Sequence, residues 1–402
     1  MRKLIVLLVA AAFLVAMGLP AMAAEEKVMR KLIVLLVAAA FLVAMGLPAM
    51  AAEKSVTFYG NVRITTAIAD FDKEAAPGGK FSDKDLDWAL DDGSSRFGAK
   101  FAAGDIAGNV EIRPRDGGYV RHWYGSWNFG AGKLLIGQTW TPTFQVVTGQ
   151  AMYGGLLPGY GDTLGSLRRA GLQIHFPIKA VNGTLKLAAL TPNTEDVGAE
   201  KSIVTGTTDT DTSLPDLEGS LSFGFGPLSG SVALGYNTYS EVNTATDKEY
   251  DIDSWIGMFK LAYSGGPFYV KGRVYKGQNL AKSPFIASSV LSPTDIGTAP
   301  TVNIQDVDEL GFAACAGFKF SDKLGFEAGY GQVKEEMDRP AGTVNDENKR
   351  KSYYLQAPIT LAKGVKITPE VVVLDNDHKI VNGTRTELGK KTYYGIYWFI
   401  AF

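Results

Sequence analysis

The sequence predicts an all-β fold, a transmembrane antiparallel β-barrel of about 16 strands with short periplasmic turns and long external loops. Three observations lead to it. Apolar and polar residues alternate along many short segments, the connections between these segments alternate between short and long, and no apolar run near 18 residues occurs after residue 52. Only a closed ring of such strands satisfies every backbone polar group inside hydrocarbon.

The two terminal segments show the alternation most clearly. In the first, apolar side chains share one parity and polar side chains the other, and the apolar set is Val56, Phe58, Val62, Ile64 and Ile68. In the last, one parity collects Tyr394, Ile396, Trp398, Ile400 and Phe402. Aromatic residues at both ends suit the interfacial girdles of an outer-membrane barrel.

Fourteen further segments complete the predicted barrel. The pattern places them near residues 94–104, 107–115, 119–130, 133–140, 168–177, 183–191, 216–226, 229–240, 251–264, 267–277, 309–320, 324–334, 350–361 and 365–375. Short turns rich in Gly, Asn, Asp and Ser lie at 104–108, 130–132, 182–183, 226–230, 264–266, 321–323 and 362–364. Long connections lie near 70–93, 141–167, 192–215, 241–250, 278–308, 335–349 and 376–390. A soluble sandwich or propeller has no need of this alternation in length.

The N-terminus carries a duplicated export signal. Residues 1–24 have a basic start, an apolar stretch and an Ala-x-Ala site, and they recur unchanged as residues 29–52 after a spacer at 25–28. The alternative, a hairpin of two transmembrane helices, is disfavoured by the short spacer and the two cleavage sites. We therefore expect two signal-peptide copies and a single barrel domain over 53–402, exported through the inner membrane to the outer membrane of a Gram-negative cell.

Composition excludes several function classes. The formal net charge of −2 offers no basic excess for nucleic acid, and the single Cys315 rules out intrachain disulfides and cysteine-rich metal clusters. His122, His175 and His378 lie on separate segments, so no Ser-His-acid site can be assembled and the sequence predicts no enzyme and no cofactor. Segment 70–93 is dense in acids that can hold Ca²⁺ or Mg²⁺ loosely, although a solvated acidic loop explains the same composition.

The whole segment after residue 52 resembles the Gram-negative general porins. The likeness is carried by the aromatic last strand ending in Phe402, the strand Gly137-Gln138-Thr139-Trp140, and the long connection after it. The resemblance implies that Phe402 is read by the barrel-assembly machinery, that loop 141–167 folds into the barrel to narrow the channel, and that the protein is a homotrimer among lipid and lipopolysaccharide. The departure from the family is a Gly-rich, apolar third loop with few acids.

Charges facing the lumen are the candidate selectivity residues. Strand parity turns Arg63, Arg96, Lys100, Arg113, Arg115 and Lys186 inward, with Glu111 as the one acid among them. The third loop offers only Asp162, and Arg168-Arg169 at its base add positive charge. We expect these pore-lining or constriction residues to favour anions. Parity fixes the face and not the depth, so a spread of solvated lumen charges is the alternative.

The sequence therefore predicts an outer-membrane porin, a water-filled channel for passive diffusion of small hydrophilic solutes with a mild preference for anions. Two alternatives stay open. The barrel can be a substrate-specific channel for phosphate, carboxylates or sugars, which requires a saturable site in the lumen. It can also be a plugged structural barrel whose loops meet partners outside the cell.

Overall fold

The computed structural model describes 54–75, 83–114, 119–155, 157, 159–162, 168–192, 209–243, 248–285, 290–296, 303–339 and 343–402. Both predicted signal-peptide copies and the spacer lie outside these residues. Among the described residues, no helix has the length and apolarity needed to cross a bilayer.

Sixteen antiparallel strands close into one barrel. In chain order they are β1 Lys54–Phe71, β2 in two segments Asp83–Leu90 and Arg96–Ala103, β3 Ile106–Arg113, β4 Tyr119–Asn128, β5 Lys133–Trp140, β6 Arg168–Ile178, β7 Gly183–Leu190, β8 Asp216–Phe225, β9 Leu228–Asn243, β10 Lys248–Gly265, β11 Phe268–Gln278, β12 Val307–Lys319, β13 Gly325–Met337, β14 in two segments Asp346–Gln356 and Ile359–Ala362, β15 Val365–Val381 and β16 Lys390–Ala401. Two short strands extend the barrel sheet, Asp209–Asp211 beside β9 and Thr384–Glu387 beside β15. Thr294–Ile296 and Asn303–Gln305 form a separate two-stranded sheet. The 3-10 turns are Met152–Gly154, Lys179–Val181 and Leu280–Lys282.

The last strand pairs with the first and closes the ring. The register runs from Asn61 opposite Ala401 to Phe71 opposite Lys391. Next to the Asn61–Ala401 pair, Gly60 and Phe402 exchange two backbone hydrogen bonds of 2.9 and 3.0 Å. Closure leaves no free sheet edge, which is the condition for crossing hydrocarbon with strands.

The outer surface is an apolar belt. Side chains of the predicted outward parity are exposed, for example Val56, Phe58 and Val62, whereas Thr65 and Ala67 of the other parity are buried inside the barrel. Tight turns join the strands at the opposite end from the long connections, and Gly104 and Gly266 adopt positive φ angles of 59° and 58° there. The fold class, the short turns and the sixteen predicted strands are confirmed, although several strands extend beyond their predicted ends.

The first long connection was predicted too long. Residues 83–90, placed by the sequence pattern within loop 70–93, form the outer half of β2 and pair with Ile64–Phe71 of β1. Their outward parity is apolar, with Leu86 and Trp88 strongly exposed. Three alternating aspartates gave the segment a loop-like composition, but the aspartates and the apolar side chains lie on opposite faces of one strand.

Three other connections are also shorter than predicted. One is 335–349, because β13 extends to Met337 and β14 begins at Asp346. Strands β9 and β10 extend to Asn243 and from Lys248, and β15 extends to Val381 before a hairpin formed by Thr384–Glu387. Polar residues at these strand ends resemble loop composition because strands beyond the membrane have no lipid-facing side.

Glycine at the seam between β16 and β1 provides a stability test. A Cβ at Gly395 would lie 2.1 Å from the Thr66 carbonyl oxygen, whereas a Cβ at Gly125 on β4 meets nothing within 4 Å. We expect Gly395→Val to destabilise the barrel by about 1–3 kcal/mol through overpacking. The urea concentration at the midpoint of unfolding in detergent measures this loss of stability, and Gly125→Val is the control variant. Equal midpoints for the two variants would contradict the tight seam.

Candidate permeation pathway

The third long connection lies inside the barrel, as the family resemblance implies. Glu370 of β15 accepts hydrogen bonds from the backbone N–H groups of Ala151 and Met152 at 2.9 and 3.0 Å, and from the Gln150 side chain. Glu327 of β13 accepts one from Gly149 at 2.7 Å. The wall therefore supplies carboxyl oxygens as acceptors for loop amides that no secondary structure pairs.

Further wall residues hold the rest of the loop. Glu218 of β8 accepts a hydrogen bond from the Thr143 amide at 2.8 Å. Arg273 of β11 donates to the carbonyls of Gln145 and Gly161 at 2.8 and 2.6 Å. We call Glu218, Glu327 and Glu370 the acidic anchors. Together with Arg273 they keep the loop against the β8–β15 side of the lumen.

Asp162 stabilises the loop itself. Its carboxylate is 1% exposed and accepts hydrogen bonds from the backbone amides of Val147 and Thr148 at 3.1 and 3.0 Å, and from the Thr148 hydroxyl. The phenol of Tyr160 donates to Asn376 Oδ1 at 2.7 Å, and burial raises the pKa of that phenol, so it stays a donor. Among the described residues of the loop, no carboxylate faces the open side of the lumen.

A second inserted segment fills the lumen beside β9–β11. Phe285 is fully buried against Gly235, where a Cβ would lie 2.4 Å from its ring. The amides of Val290 and Leu291 donate to Glu335 at 2.9 and 2.6 Å. Since this side is packed by two segments, the open path runs along the opposite wall.

That opposite wall is basic. Glu111 of β3 lies at its centre, with the guanidinium of Arg121 at 2.6 Å, that of Arg96 at 3.7 Å, and a hydrogen bond from the Tyr59 hydroxyl at 3.0 Å. A bulge places Arg121 there, because Glu111 pairs with His122 and Ile112 with Val120, which leaves Arg121 unpaired between them. One carboxylate is thus shared by two guanidinium groups.

Two more arginines extend the basic wall. Arg168 of β6 is buried, and its guanidinium stacks on the Trp140 ring at 3.4 Å, while the Trp140 ring stacks on Phe144 at the root of the third loop. Within the described residues, the Nε and Nη1 atoms of Arg168 have no hydrogen-bond partner. Arg113 of β3 lies over Tyr119 at 4.1 Å.

Toward the barrel seam, Arg63 and Lys366 continue the wall. Phe399 of β16 lies between them, paired with Arg63 on one side and with Lys366 on the other. The three inward side chains line a cavity of about 240 Å³ under the third loop, closed on its other side by 149–151. We define the basic arc as Lys366, Arg63, Arg96, Arg113, Arg121 and Arg168.

The structure brings only some of the sequence-predicted residues together. Arg63, Arg96, Glu111, Arg113 and Arg168 belong to one wall, described above. Lys100 lies over the Tyr59 ring, about 13 Å from Arg96 along β2 by strand rise and close to the periplasmic turn. Lys186 is the fourth residue of β7, close to the turn that precedes this strand.

Three other predicted residues lie elsewhere. Arg169 donates to the Thr191 carbonyl at 3.0 Å, beside Asp216 and Glu218. Phe402 is exposed at the end of β16, with its ring over Gly60. Arg115 lies outside the described residues. The roles in permeation and assembly predicted for all these residues stay predictions.

The acids of segment 70–93 are partly engaged with the protein itself. Asp70 pairs with Lys84 at 2.9 Å, and Asp72 accepts hydrogen bonds from the amides of Ala75 and Lys390. Asp91 accepts a hydrogen bond from the Tyr397 hydroxyl at 3.1 Å. Loose Ca²⁺ or Mg²⁺ binding there stays a prediction.

Sequence reasoning missed Arg121, Lys366 and the acidic anchors. Parity counting assigns Arg121 and His122 to opposite faces, and only the bulge turns both inward. The anchors follow parity on β8, β13 and β15, but their loop partners are far away in sequence. Their common signal is a carboxylate at an inward position among apolar outward neighbours.

A closed barrel with an apolar outer belt and an inserted loop beside a charged wall defines an outer-membrane channel. The sequence matches the Gram-negative porin family over residues 38–379, and the chain belongs to that family. Porins are channels, and the protein is not an enzyme. No curated protein sequence matches the chain at a significant level.

Solved porin structures share the fold at low sequence identity. The outer membrane channel DcaP of Acinetobacter baumannii is 16% identical with a TM-score of 0.63, over 89% of this chain and all of that one. An anion-selective porin from Comamonas acidovorans is 14% identical with a TM-score of 0.58, over 87% of this chain and all of that one. The trimer form of OmpT of Vibrio cholerae is 17% identical with a TM-score of 0.53, over 87% of this chain and 99% of that one.

Cys315 is a native reporter for the position of the third loop. It is buried, with Sγ 3.4 Å from the Val147 carbonyl oxygen beneath the loop. Glu370→Gln replaces one accepting carboxylate oxygen with an NH2 group, and a buried group left without its hydrogen-bond partner costs about 1–3 kcal/mol, so we expect labelling of Cys315 by a charged water-soluble thiol reagent to accelerate about tenfold.

Glu336→Gln is the matched control, because Glu336 lies in an exposed ion pair with Lys334 away from the loop. Both variants lose one carboxylate. If wild-type Cys315 already reacts as fast as an exposed thiol, or if the two variants label alike, the loop is not held by Glu370.

Proposed function

We propose that this porin is a passive diffusion channel for small hydrophilic solutes with a mild preference for anions. The observation that carries the proposal is the basic arc, which faces the third loop across the open path. Within the described residues, Asp162 and the acidic anchors are occupied by loop backbone groups, and Glu111 is shared between Arg121 and Arg96. Beside Glu111 the path therefore has an excess of positive charge, whereas the inward aspartates of Asp83–Leu90 lie on the outer half of β2.

The physical consequence is an asymmetry in ion concentration. A narrow passage with low-dielectric walls and charge of one sign raises the local concentration of counter-ions. The backbone on the loop side carries dipoles and no net charge. In our proposal Arg63, Arg96, Arg113, Arg115 and Arg168 act on passing ions at the constriction, and Lys100, Lys186, Arg169, Asp162 and Glu111 modulate the field. The similarity to an anion-selective porin agrees with this choice.

The proposal also covers assembly and location. We infer export by the N-terminal signal peptide, insertion directed by Phe402, and a homotrimer in contact with lipopolysaccharide. The trimer form of a similar porin supports the oligomeric state, and the exposed position of Phe402 supports its recognition.

A substrate-specific channel is the second candidate. The cavity beside Phe399 favours this candidate, because saturable binding of a solute requires a recess beside the diffusion path.

Reversal potential under a KCl gradient tests the anion preference. We expect the wild-type channel to favour chloride, and Arg63→Gln and Arg96→Gln each to reduce the chloride-to-potassium permeability ratio about twofold, because each removes a positive charge from the narrow path.

Lys323→Gln in a periplasmic turn is the matched control and should leave the ratio unchanged. A wild-type channel that favours potassium would contradict the proposal. An absence of stepwise conductance at any voltage would instead support a plugged barrel.

A further inference from the structure

The cavity under the third loop has the composition of an organic-anion site. It is lined by two cationic side chains, Arg63 and Lys366, an aromatic ring, Phe399, and the hydroxyl groups of Thr368 and Tyr397. Residues 149–151 of the third loop form its roof. A recess with cationic, aromatic and hydroxyl groups suits a ligand with one charged end and an apolar body.

Register fixes the spacing of the two cations. Lys366 pairs with Phe399, and Phe399 pairs with Arg63, so the three residues lie on one rung of adjacent strands. Two strand spacings separate the Cα atoms of Lys366 and Arg63 by about 10 Å. Both side chains are inward and long enough to converge on one carboxylate above the ring.

The groups differ in how firmly they are held. Arg63 donates to Asn61 Oδ1 at 2.8 Å and to the Tyr397 hydroxyl at 3.2 Å, and its guanidinium lies 5.1 Å from the centre of the Phe399 ring. Within the described part of the chain, no ion pair or hydrogen bond engages the Lys366 ammonium. One cation is thus preorganised, and the other is available to a ligand.

The volume admits a single ring. A cavity of about 150 Å³ is enough for benzene, and this one measures about 240 Å³ and opens to the lumen. A carboxylate attached to one ring therefore fits with its charge near Arg63 and Lys366 and its ring against Phe399. Inorganic anions fit as well but gain nothing from the ring.

We propose that this cavity is a weak, saturable binding site for small organic carboxylates with an apolar or aromatic body. The inference rests on the proposed function, because the same wall that favours anions supplies the site. It goes further in assigning a substrate class, in giving Lys366 a second role besides its charge in the basic arc, and in giving the Phe399 ring a role that selection by charge does not require.

Block of the chloride current by benzoate tests the site. We expect benzoate to reduce the single-channel chloride current with saturation, and acetate to do so at least about fivefold more weakly because it lacks the ring. Benzamide, which lacks the charge, should not block. Phe399→Leu should remove the advantage of benzoate over acetate, and Lys366→Gln should weaken both.

Two matched variants separate this site from general lumen charge. Lys100→Gln removes a lumen charge outside the cavity and should leave the benzoate-to-acetate ratio unchanged. Phe225→Leu removes an exposed aromatic ring of β8 and should have no effect on block. Block that does not saturate, or that is insensitive to both Phe399→Leu and Lys366→Gln, would overturn the site.

The two proposals fail separately in this experiment. The chloride preference is read from the reversal potential before any carboxylate is added. A chloride-selective channel without saturable benzoate block refutes the binding site and leaves the proposed function intact. A channel without chloride preference refutes the proposed function, whatever benzoate does.

Discussion

The position of the third loop depends on carboxylates of the barrel wall that accept hydrogen bonds from its backbone. A loop inside a barrel has amides without secondary-structure partners, and a buried unpaired amide costs about 1–3 kcal/mol. Glu218, Glu327 and Glu370 satisfy such amides from three strands on one side of the lumen. Arg273 of the same side donates a hydrogen bond to the Gln145 carbonyl of the loop. This set of contacts decides which side of the lumen is filled.

The electrostatics of the open path follow from that attachment. Because the acidic anchors are covered by the loop, they lie behind neutral backbone rather than along the path. On the other wall, Arg96 and Arg121 share Glu111, and Arg63, Arg113 and Arg168 have no carboxylate within ion-pair distance in the described residues. A chain with a net charge of −2 thus presents a positive face where the channel is narrow.

Most of the barrel was predictable because one physical rule acts at every strand. Lipid on one side and water on the other impose a period of two, so Val56, Phe58 and Val62 and the last strand before Phe402 could be assigned from sequence. The rule fails where the environment changes. The strand Asp83–Leu90 was taken for loop because its inward face is acidic, and β15 continues to Val381 where no lipid faces it.

The site was less predictable because it depends on depth, irregularity and contacts distant in sequence. Parity places Lys100 and Arg96 on the same face of β2 but does not give their depth in the membrane. Only the distance of each residue from the periplasmic turn shows that they lie at different depths. The bulge that turns Arg121 inward has no signature in one sequence. Glu370 and Ala151 meet although more than 200 positions separate them. Asp162 was expected among the constriction residues, and its buried hydrogen bonds to Val147 and Thr148 required the folded loop.

Anomalous diffraction from crystals soaked in bromide tests the central claim most directly, because it locates the anions and the loop in one experiment. The account predicts residues 141–155 inside the barrel against β13 and β15, with bromide peaks beside Arg63, Arg96 and Lys366. Bromide distributed equally over both walls, or the loop outside the lumen with Glu327 and Glu370 facing the open path, would contradict it.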